Sequence, residues 1–436
     1  GLRDIHTIDW LLRNYSRNTQ RGDLNLSNII TPFERNELKK AKYWLWIIRY
    51  LLHLEANREE DRLLFEYQIA IAKKLFPTIE NPNSAAEKLM HRYYRSALTI
   101  SEINSTVIQS FKENLYKIKF SRKKVIDSNF HQKNDLIGLK KSNGFRKNPS
   151  LLLDLFVKLT EHPHLKGIES RTLRFLKEDR DLINSEFRKK KKNIKLFLSL
   201  IRSKRLMVTQ LENMKELGIL GRYLPEFGRI TGQMQYDLFH IYTVDAHTLQ
   251  VLKNMRRMLL GTSADLYPLA SKIIHTLPKL EVLYIAGLYH DIGKGRGKDH
   301  STLGTTIVRR FCKNHDFNDI DRKLIEWLVV NHLLMSKTSQ KEDLSDSTVI
   351  KSFGELVQNQ KNLDYLYCLT VADVSATNPN LWNSWNSTLL GELYSKASNF
   401  LENKEERNES TNLKIARDSL LDEKKVNEED LLSLWK

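Results

Sequence analysis

The segment LEVLYIAGLYHD, residues 280–291, constrains the fold of this chain more than any other. Its almost unbroken apolar character predicts a helix that is buried in a core. The segment ends on His290 and Asp291, and the glycines at 293 and 295 let the backbone turn away at once. A buried helix gains nothing from an adjacent imidazole and carboxylate, whereas a metal site uses both as ligands. The sequence therefore predicts a helical core with a metal centre at the end of this helix.

Helical periodicity extends over most of the chain. Apolar residues recur every three or four positions in 41–76 and 81–111, and again from 231 to about residue 400. Residues 117–145 differ, because short alternating segments and turn residues predict a small pair of strands there. The expected fold class is therefore mainly α: a helical bundle region followed by an all-α block, with a small β element near 117–145.

The composition, 41% apolar and 28% charged residues, is typical of a soluble globular chain. No apolar run approaches the roughly 18 residues that a membrane span needs, and no signal peptide opens the sequence. The two cysteines, at 312 and 368, favour a reducing compartment, so we expect a cytoplasmic protein without disulfides. Because residue 1 is glycine rather than methionine, we expect a fragment of a longer chain.

The net charge of +17 is concentrated in residues 111–210, which hold 26 basic and 10 acidic residues. Such a surplus is compatible with a surface for nucleic acid or an acidic partner. No aromatic residues alternate with these basic residues, and no nucleic-acid-binding module is recognisable among them. The favoured interpretation of the positive charge is therefore solvated, lysine-rich helix faces, and nucleic acid is not an expected partner.

Candidate metal ligands recur at the ends or on the buried faces of apolar helical segments. A single histidine in such a place is more often structural than a ligand. His240 illustrates this, because it lies on the same helical face as His247 and suits a core position equally well. The combination is more specific than any one member. The candidate ligands are His247, His290, Asp291, His300, His332 and Asp373.

His290, Asp291 and the basic residues after them lead to two further expectations, one about metal ions and one about phosphate. His290 and Asp291 could converge on one ion, and the two carboxylate oxygens of Asp291 could bridge two ions. Lys294, Arg296 and Lys298 follow immediately, where their charges could hold a phosphate group.

The order of these ligands resembles the HD superfamily of metal-dependent phosphohydrolases. In that family the first His, the His-Asp doublet and the last Asp hold one metal; they match His247, His290, Asp291 and Asp373. The extra histidines of two-metal members match His300 and His332. The resemblance implies a divalent cofactor, Mg or Mn, with one or two ions.

A second resemblance covers almost the whole chain. The segments GLRDIHTIDWLLR, GRYLPEFGRITGQMQYDLFHIYTVDAHTLQVL, YHDIGKGRGKDHSTLG, NHLLMS and LTVADVSATNPNLWNSW are similar to the bifunctional uridylyltransferase/uridylyl-removing enzymes of the PII nitrogen-signal protein. This resemblance implies that an HD phosphohydrolase domain at 231–400 hydrolyses the uridylyl-tyrosine phosphodiester on uridylylated PII and releases UMP. Asp291, Lys294 and Arg296 are the implied catalytic residues.

The same resemblance implies the domain organisation. Residues 1–120 correspond to the end of a nucleotidyltransferase domain and its helical companion, 121–230 to a basic connector, and 401–436 to a linker towards ACT domains. The resemblance implies that Asp4 corresponds to a late catalytic carboxylate of the transferase. Without the upstream Gly-Ser and paired-Asp motif and the ACT domains, this sequence is expected to lack transferase activity and glutamine control.

Other interpretations remain open at this point. An HD hydrolase that acts on a free nucleotide would use the same ligands, and a nucleic-acid-binding or scaffold protein could carry an idle HD block. Trp382 and Trp385 could stack on uracil, but core packing is favoured for both. His315 is expected on a surface turn, outside the ligand set.

Overall fold

The computed structural model of the protein describes residues 1–18, 29–115, 123–234, 242–295, 300–377 and 382–422. These residues form many helices and one small sheet, which confirms the mainly α fold class. Among the helices described, none combines the length and the apolar character needed to cross a membrane.

Four helices form the N-terminal part of the structure. α2 has a defined start, because the Thr31 hydroxyl accepts a hydrogen bond from the Glu34 backbone N–H and the Glu34 carboxylate accepts one from the Thr31 N–H. The helices enclose two hydrophobic clusters, one around Ile8 and the other around Ile71. Their bounds are α1 Leu2–Asn18, α2 Pro32–Ala56, α3 Phe65–Leu75 and α4 Pro82–Leu115.

A four-stranded sheet follows, in the order β1-β2-β3-β4. β2 and β3 form an antiparallel hairpin in which Lys133 pairs with Leu136, and Asn134 in the turn takes a φ of 56°. This hairpin lies in the region where strands were predicted. β4 pairs parallel to β3 and was not predicted, because two residues carry no periodic pattern. The bounds are β1 Lys124–Val125, β2 Phe130–Lys133, β3 Leu136–Leu139 and β4 Gly167–Ile168.

Eight short helices lie between residues 144 and 230, and α7 contacts strand β3 of the sheet. Their buried side chains belong to the same hydrophobic core as those of the C-terminal helices. The bounds are α5 Gly144–Lys147, α6 Leu151–Glu161, α7 Ser170–Asp179, α8 Ser185–Lys189, α9 Lys191–Ile201, α10 Met207–Glu216, α11 Leu220–Tyr223 and α12 Pro225–Ile230, with a 3-10 turn at Arg180–Leu182.

The C-terminal block is built around α15, the apolar segment that leads to His290 and Asp291. Every residue from Val282 to Tyr289 is buried, because α15 packs against α13, α17 and α20 on different sides. The bounds are α13 Val244–Met258, α14 Pro268–Ile274, α15 Leu280–Tyr289, α16 His300–Asn314, α17 Asp319–Asn331, α18 Leu334–Lys341, α19 Ser347–Val357, α20 Gln360–Thr377 and α21 Ser384–Asp422, with a 3-10 turn at Gly261–Ser263.

The last helix extends into the predicted linker. Residues 401–436 were predicted to be a linker, and α21 continues through the first part of them, to Asp422. Glu and Lys are good helix formers, so a segment rich in charged residues can be helical. Residues 423–436 lie outside the described part of the chain.

Ion pairs join the basic region to the N-terminal helices. Arg174 on α7 donates to the Glu34 carboxylate at 3.3 Å and to the Ile29 carbonyl at 2.8 Å, while Lys177 and Arg180 both lie 3.3 Å from Glu102. Part of the positive surplus of residues 111–210 is therefore used in contacts within the chain.

Loss of the Arg174 contact should destabilise the protein. The Glu34 carboxylate is 4% exposed, so Arg174→Ala leaves a buried charge without its guanidinium. We expect the free energy of unfolding to fall by about 3 kcal/mol or more, measured by urea denaturation. Lys189→Ala is the control, because Lys189 and Glu186 form an exposed pair whose loss should cost no more than about 1 kcal/mol. Equal effects of the two substitutions would contradict this account.

Candidate metal centre

The ends and faces of four helices bring the candidate ligands together. His247 lies on α13 and Asp373 on α20, while His290 and His332 are the residues that end α15 and α17. Asp291 follows His290 in the turn after α15. Because α15 contacts the three other helices, side chains distant in sequence converge at its C-terminal end.

The donor atoms of four residues form one buried cluster. His247 Nε2 lies 2.9 Å from Asp373 Oδ1, 3.2 Å from His290 Nε2 and 3.7 Å from Asp291 Oδ2. His290 Nε2 lies 3.3 Å from Asp291 Oδ2 and 3.6 Å from Asp373 Oδ1. Ligands that share one small cation at about 2.1 Å lie roughly 3 Å or slightly more from one another, so the spacing suits a single ion.

His332 approaches the same carboxylate from another side. Its Nε2 lies 3.8 Å from Asp291 Oδ1, whereas Oδ2 of Asp291 is the oxygen nearest to His247 and His290. The two oxygens of Asp291 therefore face different imidazoles. This arrangement is the one that a carboxylate bridging two ions requires.

The imidazole tautomers also suit a metal. Nδ1 of His290 lies 2.8 Å from the Gly287 carbonyl, and Nδ1 of His332 lies 2.8 Å from the Val329 carbonyl. A carbonyl can only accept, so Nδ1 carries the proton in each ring. The lone pair of Nε2 is then available to a cation, and histidine ligands of metals typically donate their other ring N–H to a carbonyl or carboxylate in this way.

Burial and charge oppose each other in this cluster. Burial would lower the pKa of His290, but the carboxylates of Asp291 and Asp373 outweigh it and raise that pKa to about 10. Burial likewise opposes ionisation of the two carboxyls, yet His290 and its neighbours hold the pKa of each well below its usual range. Burial, together with His290, lowers the pKa of His332 to about 4. Two carboxylates thus face the His290 imidazolium, and a divalent cation could take the place of its proton.

The remaining predicted site residues are placed as follows. Lys294 is near the cluster, with its Nζ 2.7 Å from Asp291 Oδ2, so it already neutralises part of that carboxylate. His300 begins α16, but its side chain is outside the described part of the structure. Arg296, Lys298 and His240 are also outside it.

Two predictions about aromatic residues were wrong. His315 is 7% exposed rather than on the surface, because its Nε2 lies 2.9 Å from the Tyr223 hydroxyl and its ring stacks on Phe311. Trp385 is 68% exposed, so it is not a core residue. Trp382 does pack, since it contacts the Tyr267 ring and donates to the Leu266 carbonyl at 2.8 Å.

Sequence reasoning missed a residue that joins two ligand-bearing helices. Asn254 is buried on α13 and donates to the Ala372 carbonyl at 3.3 Å and to the Ser375 hydroxyl at 2.9 Å. These contacts join α13 to α20 next to Asp373. The available signal was position, because Asn254 lies two helical turns after His247 on the same face.

Comparison with known proteins gives three family matches. Residues 1–108 match the family model described as GlnD PII-uridylyltransferase, 130–223 match the uridylyltransferase GlnD third domain, and 244–378 match the HD domain. The HD match includes the five clustered residues of the candidate metal centre, His247, His290, Asp291, His332 and Asp373.

Curated relatives match along the sequence. A bifunctional uridylyltransferase/uridylyl-removing enzyme of Pseudomonas aeruginosa is 44% identical over 448 residues, which is 100% of this chain and 49% of the relative. Enzymes with the same name from Pseudomonas savastanoi and Azotobacter vinelandii are 45% and 46% identical and cover 92% of this chain and 45% of each relative. The chain therefore spans about half the length of these relatives.

Metal binding should depend on His247. Because the imidazole nitrogens and carboxylate oxygens of His247 and its neighbours already stand at metal-ligand spacing, Mn²⁺ at a hundred times its Kd should raise the free energy of unfolding by about 2.7 kcal/mol. His247→Ala should lose most of this stabilisation, and a chelator should remove it from the unsubstituted chain. The control is His275→Ala, since His275 is exposed at the end of α14. Equal stabilisation of both variants by Mn²⁺ would contradict the assignment.

His315 should make stability depend on pH. Burial lowers its pKa to about 4, from an ordinary value of 6.5. The folded state therefore favours the neutral imidazole, and this stability is present above about pH 6.5 and lost as the pH falls towards 4. In urea denaturation across that interval, His315→Gln should show a flatter dependence on pH than the unsubstituted chain. An unchanged slope would show that His315 does not titrate with unfolding.

Proposed function

The chain belongs to the GlnD family of bifunctional uridylyltransferase/uridylyl-removing enzymes, and we propose that it carries the uridylyl-removing activity. The proposed substrate is PII protein that bears UMP on a tyrosine, and the proposed products are UMP and unmodified PII. The observation that carries this proposal is the convergence of His247, His290, Asp291 and Asp373, with nitrogen–oxygen separations of 2.9–3.7 Å.

The proposed cofactor is a divalent cation, Mg or Mn, with one or two ions bound. His247, His290, Asp291 and Asp373 would hold the first, and His332 with the other oxygen of Asp291 would hold a second, with His300 as a further candidate. Mixed imidazole and carboxylate donors favour Mn of the two metals. A bound cation supplies charge neutralisation for the phosphoryl oxygens and makes a water molecule more acidic.

The reaction is a hydrolysis of one phosphodiester bond. A water oxygen bonds to phosphorus, the bond from phosphorus to the tyrosine oxygen breaks, and a proton from the water ends on the tyrosine. Asp291 and Asp373 are ionised, so they can hold cations and orient the water, while His332 is neutral and can accept a hydrogen bond or act as a ligand.

Lys294 has a second proposed role. Its ammonium group is 13% exposed and is held against Asp291, so it lies at the edge of the cluster. A cation in this position can contact a non-bridging phosphoryl oxygen as negative charge develops there. Arg296 is proposed for the same task from its position in the sequence.

Other proposed properties follow from the same assignment. We propose a cytoplasmic location, supported by the free thiols of Cys312 and Cys368. The proposed domain boundaries remain 1–120, 121–230, 231–400 and 401–436, with the family matches distributed in the same order.

Asp291→Ala should abolish UMP release from uridylylated PII. Losing the carboxylate that faces every imidazole of the cluster should slow hydrolysis by about a thousandfold or more. Asp265→Ala is the matched control, because Asp265 is exposed near α14 and lies outside the cluster. Circular dichroism should show both variants folded, since the core of α15 is unaffected.

Substrate choice separates the alternatives. Release of UMP from uridylylated PII at a higher kcat/KM than phosphate release from a free nucleotide would support the proposal. The opposite preference would show a nucleotide phosphohydrolase. Salt-sensitive binding of RNA together with no hydrolysis of either substrate would favour a nucleic-acid-binding protein with an idle site.

A further inference from the structure

A cavity of about 400 Å³ lies where α8, α11, α12 and α16 meet. Arg188 and Lys189 on α8, Arg229 on α12 and Arg310 on α16 contribute to its lining. None of the lining residues is a ligand of the candidate metal centre, so the cavity is a separate feature of the fold. Its volume is in the range of cavities that bind small organic molecules.

Positive charge dominates this cavity. Among the described residues that line it, the four basic side chains face one carboxylate, that of Glu226. Arg188, Arg229 and Arg310 form no ion pair with a carboxylate in the described ranges, and Lys189 pairs only with an exposed one there. An exposed pair of this kind is weak and easily exchanged. The cavity therefore presents positive charge that the described acidic residues do not balance.

The Arg188 guanidinium is held in position without being neutralised. Its Nη1 donates to the Arg222 carbonyl at 3.1 Å and to the Ile183 carbonyl at 3.5 Å. These carbonyl groups carry no net charge, so the side chain keeps its full positive charge while it is ordered. Its other guanidinium nitrogens make no hydrogen bond within the described ranges, and they can donate to an incoming anion.

The other polar groups around the cavity satisfy one another. The Tyr289 hydroxyl donates to Glu226 Oε1 at 2.7 Å. Nδ1 of His315 lies 2.9 Å from the Phe311 carbonyl, so it carries the proton, and Nε2 accepts from the Tyr223 hydroxyl at 2.9 Å. These pairs occupy the carboxylate and the imidazole, so the basic side chains are the groups left to recognise a ligand.

Part of the lining is apolar. Leu224, Pro225 and Phe311 contribute to it, and Leu224 and Phe311 are buried in the core. A carbon skeleton placed against these side chains would leave water, which favours binding. An inorganic ion would make no use of this surface, so the cavity suits an organic anion better.

We propose that this cavity binds a small phosphomonoester, in which one terminal phosphate group is attached to an aromatic or sugar skeleton. The basic side chains come from three helices, and the three terminal oxygens of the phosphate can accept hydrogen bonds from several of them at once. A carboxylate has only two oxygens and one charge. Arginine supplies three of the four basic groups, and its planar guanidinium matches phosphate oxygens with paired hydrogen bonds.

The experiment is calorimetric titration of the whole chain after metal removal with a chelator, so that the metal centre does not contribute. Phenyl phosphate should bind saturably with a stoichiometry of one, and about tenfold or more tightly than either inorganic phosphate or benzoate. Titration with glucose 6-phosphate then distinguishes the two skeletons. Tighter binding than phenyl phosphate indicates a sugar phosphate, and weaker binding indicates an aromatic one.

Substitutions test whether the cavity is the site. Arg310→Gln should weaken phenyl phosphate binding by about tenfold or more, the effect of losing a charge-assisted hydrogen-bond pair. Arg310 is exposed on α16, so the fold should tolerate this change. Arg188→Gln should weaken binding as well. The control is Lys313→Gln, which removes one exposed charge from α16 outside the lining and should change affinity less than about twofold.

Three results would overturn the proposal. The first is the absence of saturable phenyl phosphate binding by the folded, metal-free chain. The second is binding of phenyl phosphate no tighter than that of inorganic phosphate or benzoate. The third is an equal loss of affinity in Arg310→Gln, Arg188→Gln and Lys313→Gln, which would show only general attraction to a basic protein. None of these results bears on UMP release, which depends on other residues and on the metal.

Discussion

Burial of two ionised carboxylates is the constraint on which the C-terminal block depends. Asp291 is 3% exposed and the Asp373 side chain is 15% exposed, in a core that is otherwise apolar. A charge in such a place is tolerated only if opposite charges and hydrogen-bond donors surround it. The imidazoles of His247 and His290 and the ammonium group of Lys294 meet this need. The two imidazoles, together with the carboxylates that they face, form a set of ligands suited to a divalent cation. The contacts that compensate the buried charges are therefore the ones that the proposed metal binding would use.

The turn after Lys294 connects this cluster to the N-terminal helices. Gly295 takes a φ of 76°, and the Gln233 amide occupies the space where a side chain at 295 would stand. Gly232, next to Gln233, has a φ of 74°, and a Cβ there would lie 3.3 Å from Cβ of Tyr94 on α4. Glycine is needed at both positions, for backbone conformation and for close approach. α4 therefore reaches the surroundings of the metal centre through one short segment.

Helix α4 thus contacts both the other N-terminal helices and the later part of the chain. Its residues Lys88, Arg92 and Arg95 line a cavity between α2 and α4, and Arg95 also lies beside Gly232. Glu102, farther along the same helix, holds Lys177 and Arg180 of the basic region. The N-terminal helices have hydrophobic clusters of their own, yet their charged residues tie them to the rest of the chain.

The sequence by itself determined the helical class and most of the candidate ligands, because apolar periodicity fixes which helix face is buried and the ligands occur where buried helices end. His290 and Asp291 were evident from α15 alone, as polar residues at the end of a segment with no exposed face. The sequence did not determine the two-residue strand β4, the burial of His315 or the exposure of Trp385, because each depends on contacts with residues far away in the chain. Only the tertiary structure decided that Asp291 turns its two oxygens towards different imidazoles and that Trp44 and Arg92 stack beside a cavity. Local pattern specifies which residues enter the interior, whereas distances between side chains on different helices are set by how those helices pack.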